Sequence, residues 1–446
     1  MLFTTDKQTL DDLNIFGRHG SDSLFNLFNR CVTRGGAAVL EHMFRYPLAD
    51  HEAINHRSNI IQYFAKQQTA FPFATAHFDV IEPYMANRDE RTKLTNGNNT
   101  MARKVSARIA PDADTMQIMK GVSALVEILQ GCLFFMQSLQ LPAGHSYEQE
   151  KNSLLSMLTL PVFKPALAQK GKAAFALVAE LDILFRFRYR EEILKLLQYI
   201  YHLDLYTAIA KVAGEKGFAF AHALPGEANT VKLEGVFHPG VPNAVANNIH
   251  ITPQGNVIFL TGANMAGKST FMKSLSIAMF LAHMGFPVAA KSMEFAVLDG
   301  IYTTINLPDN LGMGASHFYS EVLRVKKMAH ELSQGKRLFI LFDEMFRGTN
   351  VKDAYEATVA ITAAFARKKN SLFVISTHII EAGDVLKASC PNVCFIYLPT
   401  KMNGNTPVYT YTLEEGITDD RHGMIIINNE GILEILESGI QQMKSA

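Results

Sequence analysis

Gly262-Ala-Asn-Met-Ala-Gly-Lys-Ser-Thr270 decides the reading of this chain. Two glycines with four residues between them, then Lys and a hydroxyl residue, make the pattern of a phosphate-binding P-loop. Val257-Ile-Phe-Leu-Thr261, just before it, is a short apolar run and reads as a buried strand. Phe271 to Leu281, just after it, has the length and residue types of a helix. In that setting Gly262 and Gly267 let the backbone wrap around phosphate oxygens with its N–H groups turned inward. The helix start adds unpaired donors and the positive end of its dipole. Lys268 is expected to reach the β- and γ-phosphates, and the Ser269 hydroxyl to ligate Mg2+. The candidate nucleotide-binding residues are Gly262, Ala263, Asn264, Met265, Ala266, Gly267, Lys268, Ser269 and Thr270.

Two more apolar runs end in polar residues. Leu338-Phe-Ile-Leu-Phe342 leads into Asp343-Glu344. Ligands of open α/β sheets sit at the carboxyl ends of strands, where an acidic pair suits a metal ion and an attacking water. Asp343 is expected to hold Mg2+, and Glu344 to orient or deprotonate the water. Ser371-Leu-Phe-Val-Ile-Ser376 ends in Thr377-His378. Two readings of His378 stand: a γ-phosphate sensor that donates a hydrogen bond without a full charge, or an ordinary structural histidine.

Bulk properties bound the rest. A chain of 446 residues has room for two or three domains. With 48% apolar and 19% charged residues, the profile is globular rather than disordered. Lys plus Arg and Asp plus Glu balance at 42 each, so no long-range field draws the whole molecule to nucleic acid. Any DNA contact needs a local patch. The best candidate is Phe185-Arg-Phe-Arg-Tyr-Arg190, whose aromatic and basic residues alternate. The same residues also suit a helix with Arg186 and Arg190 in solvent. A second basic run, Arg88 to Arg108, is interrupted by Asn-Gly and reads as a loop.

Four cysteines are too few for a disulfide scaffold, and Cys390-x-x-x-Cys394 lacks the second Cys/His pair of a zinc site. Met1-Leu-Phe-Thr-Thr-Asp-Lys7 has no basic region leading into an apolar stretch. The apolar stretch after the P-loop is interrupted by Lys273, His283 and Gly285. A cytoplasmic protein without a membrane segment is the expectation.

The pattern changes near residue 230. Before it, helical spacing recurs in Ser23–Arg30, Ala37–Phe44, Met116–Leu139 and the long stretch from Ala173 to Ala213. After Pro225, strands alternate with helices, as in a parallel α/β sheet. Val393–Leu398 and Val408–Leu413 flank Asn403-Gly404 and read as a hairpin.

These motifs resemble those of the MutS mismatch-repair ATPases. Gly262 to Met272 is similar to their Walker A segment, in which Asn-Met inside the loop is distinctive. Asp343-Glu-Met-Phe-Arg-Gly-Thr-Asn350 resembles their Walker B and D-loop, and Ser376-Thr-His378 their histidine switch. Gly314-Ala-Ser-His-Phe-Tyr-Ser-Glu321 is similar to their signature segment, and Glu234-Gly-Val-Phe-His-Pro239 to the opening segment of the same domain. Leu24 to Gly36, with Tyr46-Pro-Leu48, resembles the start of the core and lever region. The likeness covers most of residues 9–70 and 195–425.

The resemblance implies an α plus α/β fold: a helical core/lever-like domain over 1–228, then an ABC-type P-loop NTPase α/β domain over 229–446 with a C-terminal β-hairpin. It implies a homodimer that hydrolyses ATP with Mg2+ and couples nucleotide state to DNA, in mismatch repair or branched-DNA processing. The implied catalytic residues are Glu344, His378 and Ser316, the last bonding the γ-phosphate held by the partner chain. Arg347-Gly-Thr349 is implied to pass the nucleotide state across the interface. Read alone, Ser316 also suits a helix N-cap.

Some positions depart from the family pattern. Phe346 stands where the family usually has Gly, and His317 where it usually has Thr. Ala244 falls near the place where many relatives put an aromatic ring on adenine. The chain begins at the lever-like region, so direct mismatch recognition is not expected. Two other functions stay open: an ATP-gated protein-interaction or dimerisation module, and a small-molecule or nucleotide kinase, for which no acceptor motif is visible.

Overall fold

The computed structural model describes residues 3–17, 22–94, 113–305, 317–403, 406–418, 431–432 and 435–436. Its contacts divide the chain into two units. The first joins Met1–Leu27, Phe44–Ser58 and Glu215–Ala446; the second joins Phe28–Met43 and Asn59–Gly214. This is not the linear split at 228/229 read from the sequence, because two N-terminal stretches pack with the α/β residues.

A six-stranded sheet forms the centre of the first unit. Its order is Glu414–Glu415, Val393–Leu398, Val257–Gly262, Leu372–Ser376, Leu338–Phe342, Gly300–Thr304. Five strands run parallel and the short Glu414–Glu415 pairs antiparallel at one edge. Every residue of Val257–Gly262, Gly300–Thr304, Leu338–Phe342 and Leu372–Ser376 is buried. Strands covered on both faces carry continuous apolar runs rather than alternation, which is why they stand out in the sequence. Helices Lys268–His283, His317–Ser333, Val351–Ala366 and Glu381–Ser389 lie between them in the chain. Phe365 stacks on Phe342 and Phe373 at ring distances of 6.1 and 4.6 Å, fixing one helix to the sheet. In register, Phe342 is level with Thr304 and Ile375, and Ser376 with Leu260. The carboxyl ends of four strands therefore finish together, and the polar residues that follow them share one edge.

The opposite flank of this sheet is closed by the N-terminal segment. Thr4 bridges Gly300, and Asp12 accepts hydrogen bonds from Thr303 Oγ1 at 2.8 Å and Ile305 N at 2.9 Å. Asp6 caps helix Lys7–Asp12 by accepting from Thr9 N. It also binds Arg324 at 2.5 Å and Lys327 at 2.7 Å, both on helix His317–Ser333. Burial alone would raise the Asp6 pKa; the hydrogen bonds and charges of Arg324 and Lys327 outweigh it and hold the carboxyl well below the usual range. A smaller four-stranded sheet of His222–Leu224, Ser292–Ala296, Val231–Val236 and Asn247–Ile251 completes this unit.

The C-terminal hairpin exists with different strands from those expected. Thr400–Asn403 pairs with Thr406–Tyr409, whereas Val393–Leu398 belongs to the main sheet beside Val257–Gly262. A β-rich stretch of fitting length read as one hairpin arm is instead a half-buried parallel strand of the main sheet.

The second unit is helical. It contains Thr75–Ala86, Ala113–Ser138, Glu148–Leu158, Phe175–Ile183 and all but the last two residues of Arg190–Lys216. Ala113–Ser138 is, among the described residues, the one helix long and apolar enough to cross a membrane; half of its most apolar window is buried within the protein. The long helix expected from Ala173 is interrupted by a π-helical turn at Leu184–Arg188. Such a turn inserts an extra residue and re-aims the side chains that follow.

Here the turn carries a fully buried ion pair, Arg186 with Asp182, at 2.5 and 2.6 Å. Arg186 also donates to Thr92 Oγ1 at 2.9 Å, and Asp182 accepts from Tyr84 Oη at 3.1 Å and Leu94 N at 3.2 Å. Both readings of Phe185–Arg190 are thereby corrected. Phe185 and Arg186 lie in the core, and Arg190 donates to the Met85 carbonyl at 2.9 Å. Of the second basic run, Lys93 pairs with Glu90 and lies 4.4 Å from the Phe187 ring centre, while Arg103 and Lys104 fall outside the described residues.

Candidate nucleotide site

Strand Val257–Gly262 delivers the glycine loop to the shared carboxyl edge, and helix Lys268–His283 leaves from it. Gly262 has φ +150° and a Cβ there would come 3.2 Å from the Leu398 carbonyl. Gly267 has φ +99° and forms the helix N-cap. A side chain at either position would be strained by the backbone angle and crowded by its neighbour. Between them, Asn264 and Met265 are exposed and Ala266 is buried against the loop. Ser269 and Thr270 are exposed in the first helical turn.

Lys268 folds back into its own loop, donating to the Gly262 carbonyl at 2.8 Å and the Ala263 carbonyl at 3.1 Å. Burial pushes its pKa down, against the opposing charges of Asp343 and Glu344. The ammonium is thus already inside the loop, held by carbonyls that a phosphate would replace.

Asp343 and Glu344 follow strand Leu338–Phe342, and main-chain bonds tie them to its neighbours. Asp343 N donates to the Thr304 carbonyl at 2.9 Å and Glu344 N to the Ser376 carbonyl at 3.0 Å. Ser269 Oγ donates to Asp343 Oδ2 at 2.5 Å. Asp343 Oδ1 is buried without a well-aligned hydrogen-bond partner among the described residues. Burial raises the Asp343 pKa, and the Ser269 and nearby Ser376 hydroxyls work against that rise. A hydroxyl beside a carboxylate with an unspent oxygen is the donor set that a hard divalent cation takes. These residues fit Mg2+.

Glu344 is held at both oxygens. His378 Nε2 lies 2.9 Å from Oε1, and Arg347 Nη1 lies 3.3 Å from Oε2. The hydrogen bond from His378 is the largest influence on this carboxyl; with Arg347 it overcomes partial burial and brings the pKa down to about 2. His378 therefore touches Glu344 directly, a contact that neither sequence reading of it contained. Ser316 lies outside the described residues, directly before helix His317–Ser333.

One neighbour of the loop escaped the sequence reading. A Cβ on Gly267 would come 2.9 Å from the Tyr411 ring, so the ring lies against the loop. Tyr411 is 45% exposed, has φ +56°, and is held by the Asn247 side chain. Asn247 donates to the Tyr411 carbonyl at 2.9 Å and accepts from Leu413 N at 2.8 Å. The available signal was Tyr409-Thr-Tyr411 beyond the hairpin turn, but its distance in sequence from the loop hid it.

Comparisons with known proteins bear on the family of the chain. The family model for MutS domain V matches residues 258–444, and that for MutS domain III matches residues 8–210. A DNA mismatch repair protein MutS from Chlamydia muridarum (strain MoPn / Nigg) is 27% identical over 268 residues, covering 57% of this chain and 32% of the relative. The match thus takes in about a third of that curated relative's length. With two domains of one family matched in order across most of its length, the chain belongs to the MutS family.

Proposed function

We propose that this protein binds and hydrolyses ATP at a site shared between two copies, and that nucleotide state governs its grip on DNA in mismatch repair or branched-DNA processing. The observation that supports this best is the convergence, at one sheet edge, of Lys268 in its glycine loop, the Ser269–Asp343 pair, and Glu344 against His378. The loop amides and Lys268 bind the phosphates. Ser269 and Asp343 would hold Mg2+, which neutralises phosphate charge when bound. Hydrogen bonds and charge from His378 and Arg347 hold the Glu344 carboxyl below the usual range, so it is ionised at neutral pH. Its role here is to orient the water, with His378 keeping it aimed. Tyr411 offers its face to adenine, in the role expected near Ala244. Ser316 of the second copy completes the phosphate shell.

Mass measurement of the Glu344→Ala chain tests the shared site: a dimer with ATP and a monomer with ADP is expected. Mixing Ser316→Ala with Lys268→Ala chains should restore part of the activity, and a mixture as inactive as its components would contradict sharing. DNA coupling predicts ATP-responsive binding that weakens steeply with salt in gel-shift titrations.

One structural observation favours a second reading, an ATP-gated protein-interaction module. Burial of Arg186 and Phe185 removes the aromatic–basic segment best suited to DNA. Absence of DNA binding in every nucleotide state, with a protein captured only when ATP is present, selects that reading.

A further inference from the structure

The turn after Asp343 holds two non-glycine residues in left-handed backbone, Glu344 at φ +55° and Phe346 at φ +64°. Non-glycine residues stay in that region only when their surroundings over-determine them, and such strain gathers at working sites. Main-chain bonds fix the start of the turn, through Asp343 and Glu344. Its far end has a different anchor. The Phe346 side chain is 3% exposed and sits in the apolar core beneath the sheet. Its ring meets that of Phe318 edge-on, with centroids 5.9 Å apart. Phe318 lies in the first turn of helix His317–Ser333.

We infer that Phe346 is a positioning residue: its buried ring, packed on Phe318, holds the strained turn that aims Glu344 at His378. The inference rests on the hydrolytic reading of Glu344. Burial of the ring supplies the energy that keeps residue 346 left-handed. A glycine would adopt that angle freely but would have nothing to anchor it. An alanine would be strained and unanchored at once.

That asymmetry gives the test. Phe346→Gly, Phe346→Ala and Phe346→Leu chains are compared for kcat, KM, melting temperature and hydrogen exchange of the peptide spanning residues 343–349. If the ring positions Glu344, kcat falls tenfold to a hundredfold in both the Gly and Ala chains. KM then stays near the parent value, and Phe346→Leu retains most activity. Exchange in the 343–349 peptide should rise at least tenfold in the Gly chain while the rest of the protein stays protected. Phe318→Ala should reproduce the kcat loss without adding to that of Phe346→Gly.

Activity that follows melting temperature, lost in the Ala chain but kept in the Gly chain, overturns the inference. So does unchanged exchange at the turn. A parent protein that hydrolyses no ATP refutes the hydrolytic reading instead, and the exchange measurement still decides whether the ring holds the turn.

Discussion

Both units pair a carboxylate with a cation four residues or fewer away, and they use the pair in opposite ways. In the helical unit Asp182 and Arg186 are sealed from solvent, and their bonds are made to each other, to Tyr84, to the Thr92 hydroxyl and carbonyl, and to the Leu94 amide. In the α/β unit Glu344 and Arg347 stay partly exposed at the end of a buried strand, with room for a third party. Charge buried in protein serves the fold; charge at a strand end serves a ligand. What separates the two cases is whether the surrounding backbone already consumes the bonding capacity.

The largest effect that would sharpen this contrast is expected at Asp182. Asp182→Ala strands the buried Arg186 and should destabilise the helical unit by about 3–5 kcal/mol in denaturant unfolding. Nucleotide binding per folded molecule should not change; if it does, the two kinds of pair are not separate in function.

Lys268→Ala is the counterpart in the α/β unit. It should lower ATP turnover on the order of a hundredfold or more with no loss of folding, measured by steady-state hydrolysis and a melting curve. A comparable loss of stability would mean that the lysine is a packing residue after all.

His283 probes the contrast with pH. It is wholly buried in the α/β unit, with Nδ1 2.8 Å from the Met279 carbonyl and Nε2 accepting from Leu298 N at 3.1 Å. Burial pushes its pKa from 6.5 down to about 4. The unfolded chain then binds a proton that the folded one refuses, so stability falls as pH drops from 6.5 toward 4. The full loss is on the order of 3 kcal/mol. Unfolding titrations at pH 6.5, 5.5 and 4.5 should show it, and His283→Gln should flatten the slope in that window.

Smallest is the effect of Tyr411→Ala. Stacking of a base on an aromatic ring contributes about 1–3 kcal/mol, and this half-exposed ring belongs at the low end. Nucleotide affinity should weaken roughly fivefold to tenfold by fluorescence titration, with turnover at saturation preserved.

The same contrast explains what the sequence made legible. Val257–Gly262, Leu338–Phe342 and Leu372–Ser376 were readable because strands buried on both faces leave unbroken apolar runs with a polar residue at the end. Asp343 and Glu344 followed from that position alone. Arg186 was misread because alternation of aromatic and basic residues is the same for a solvent face and for a π turn. Only the partner residues 92–94, about ninety positions earlier, decide between them. Tyr411 was missed for the same reason, since its relation to Gly267 is made by the hairpin and by Asn247 and not by spacing. His378 was half-read: its place at a strand end was clear, its grip on Glu344 was not.

The N-terminal segment has a practical consequence for anyone cloning this protein. Starting the coding sequence a dozen residues late removes no recognisable motif, yet it strips Thr4, Asp6 and Asp12 together. The outermost strand, Gly300–Thr304, would then present bare amides and carbonyls, and Arg324 would lose its counter-ion. A polypeptide shortened in this way should come out of the cell as fibrous or insoluble material, its open flank zippering to that of its neighbours.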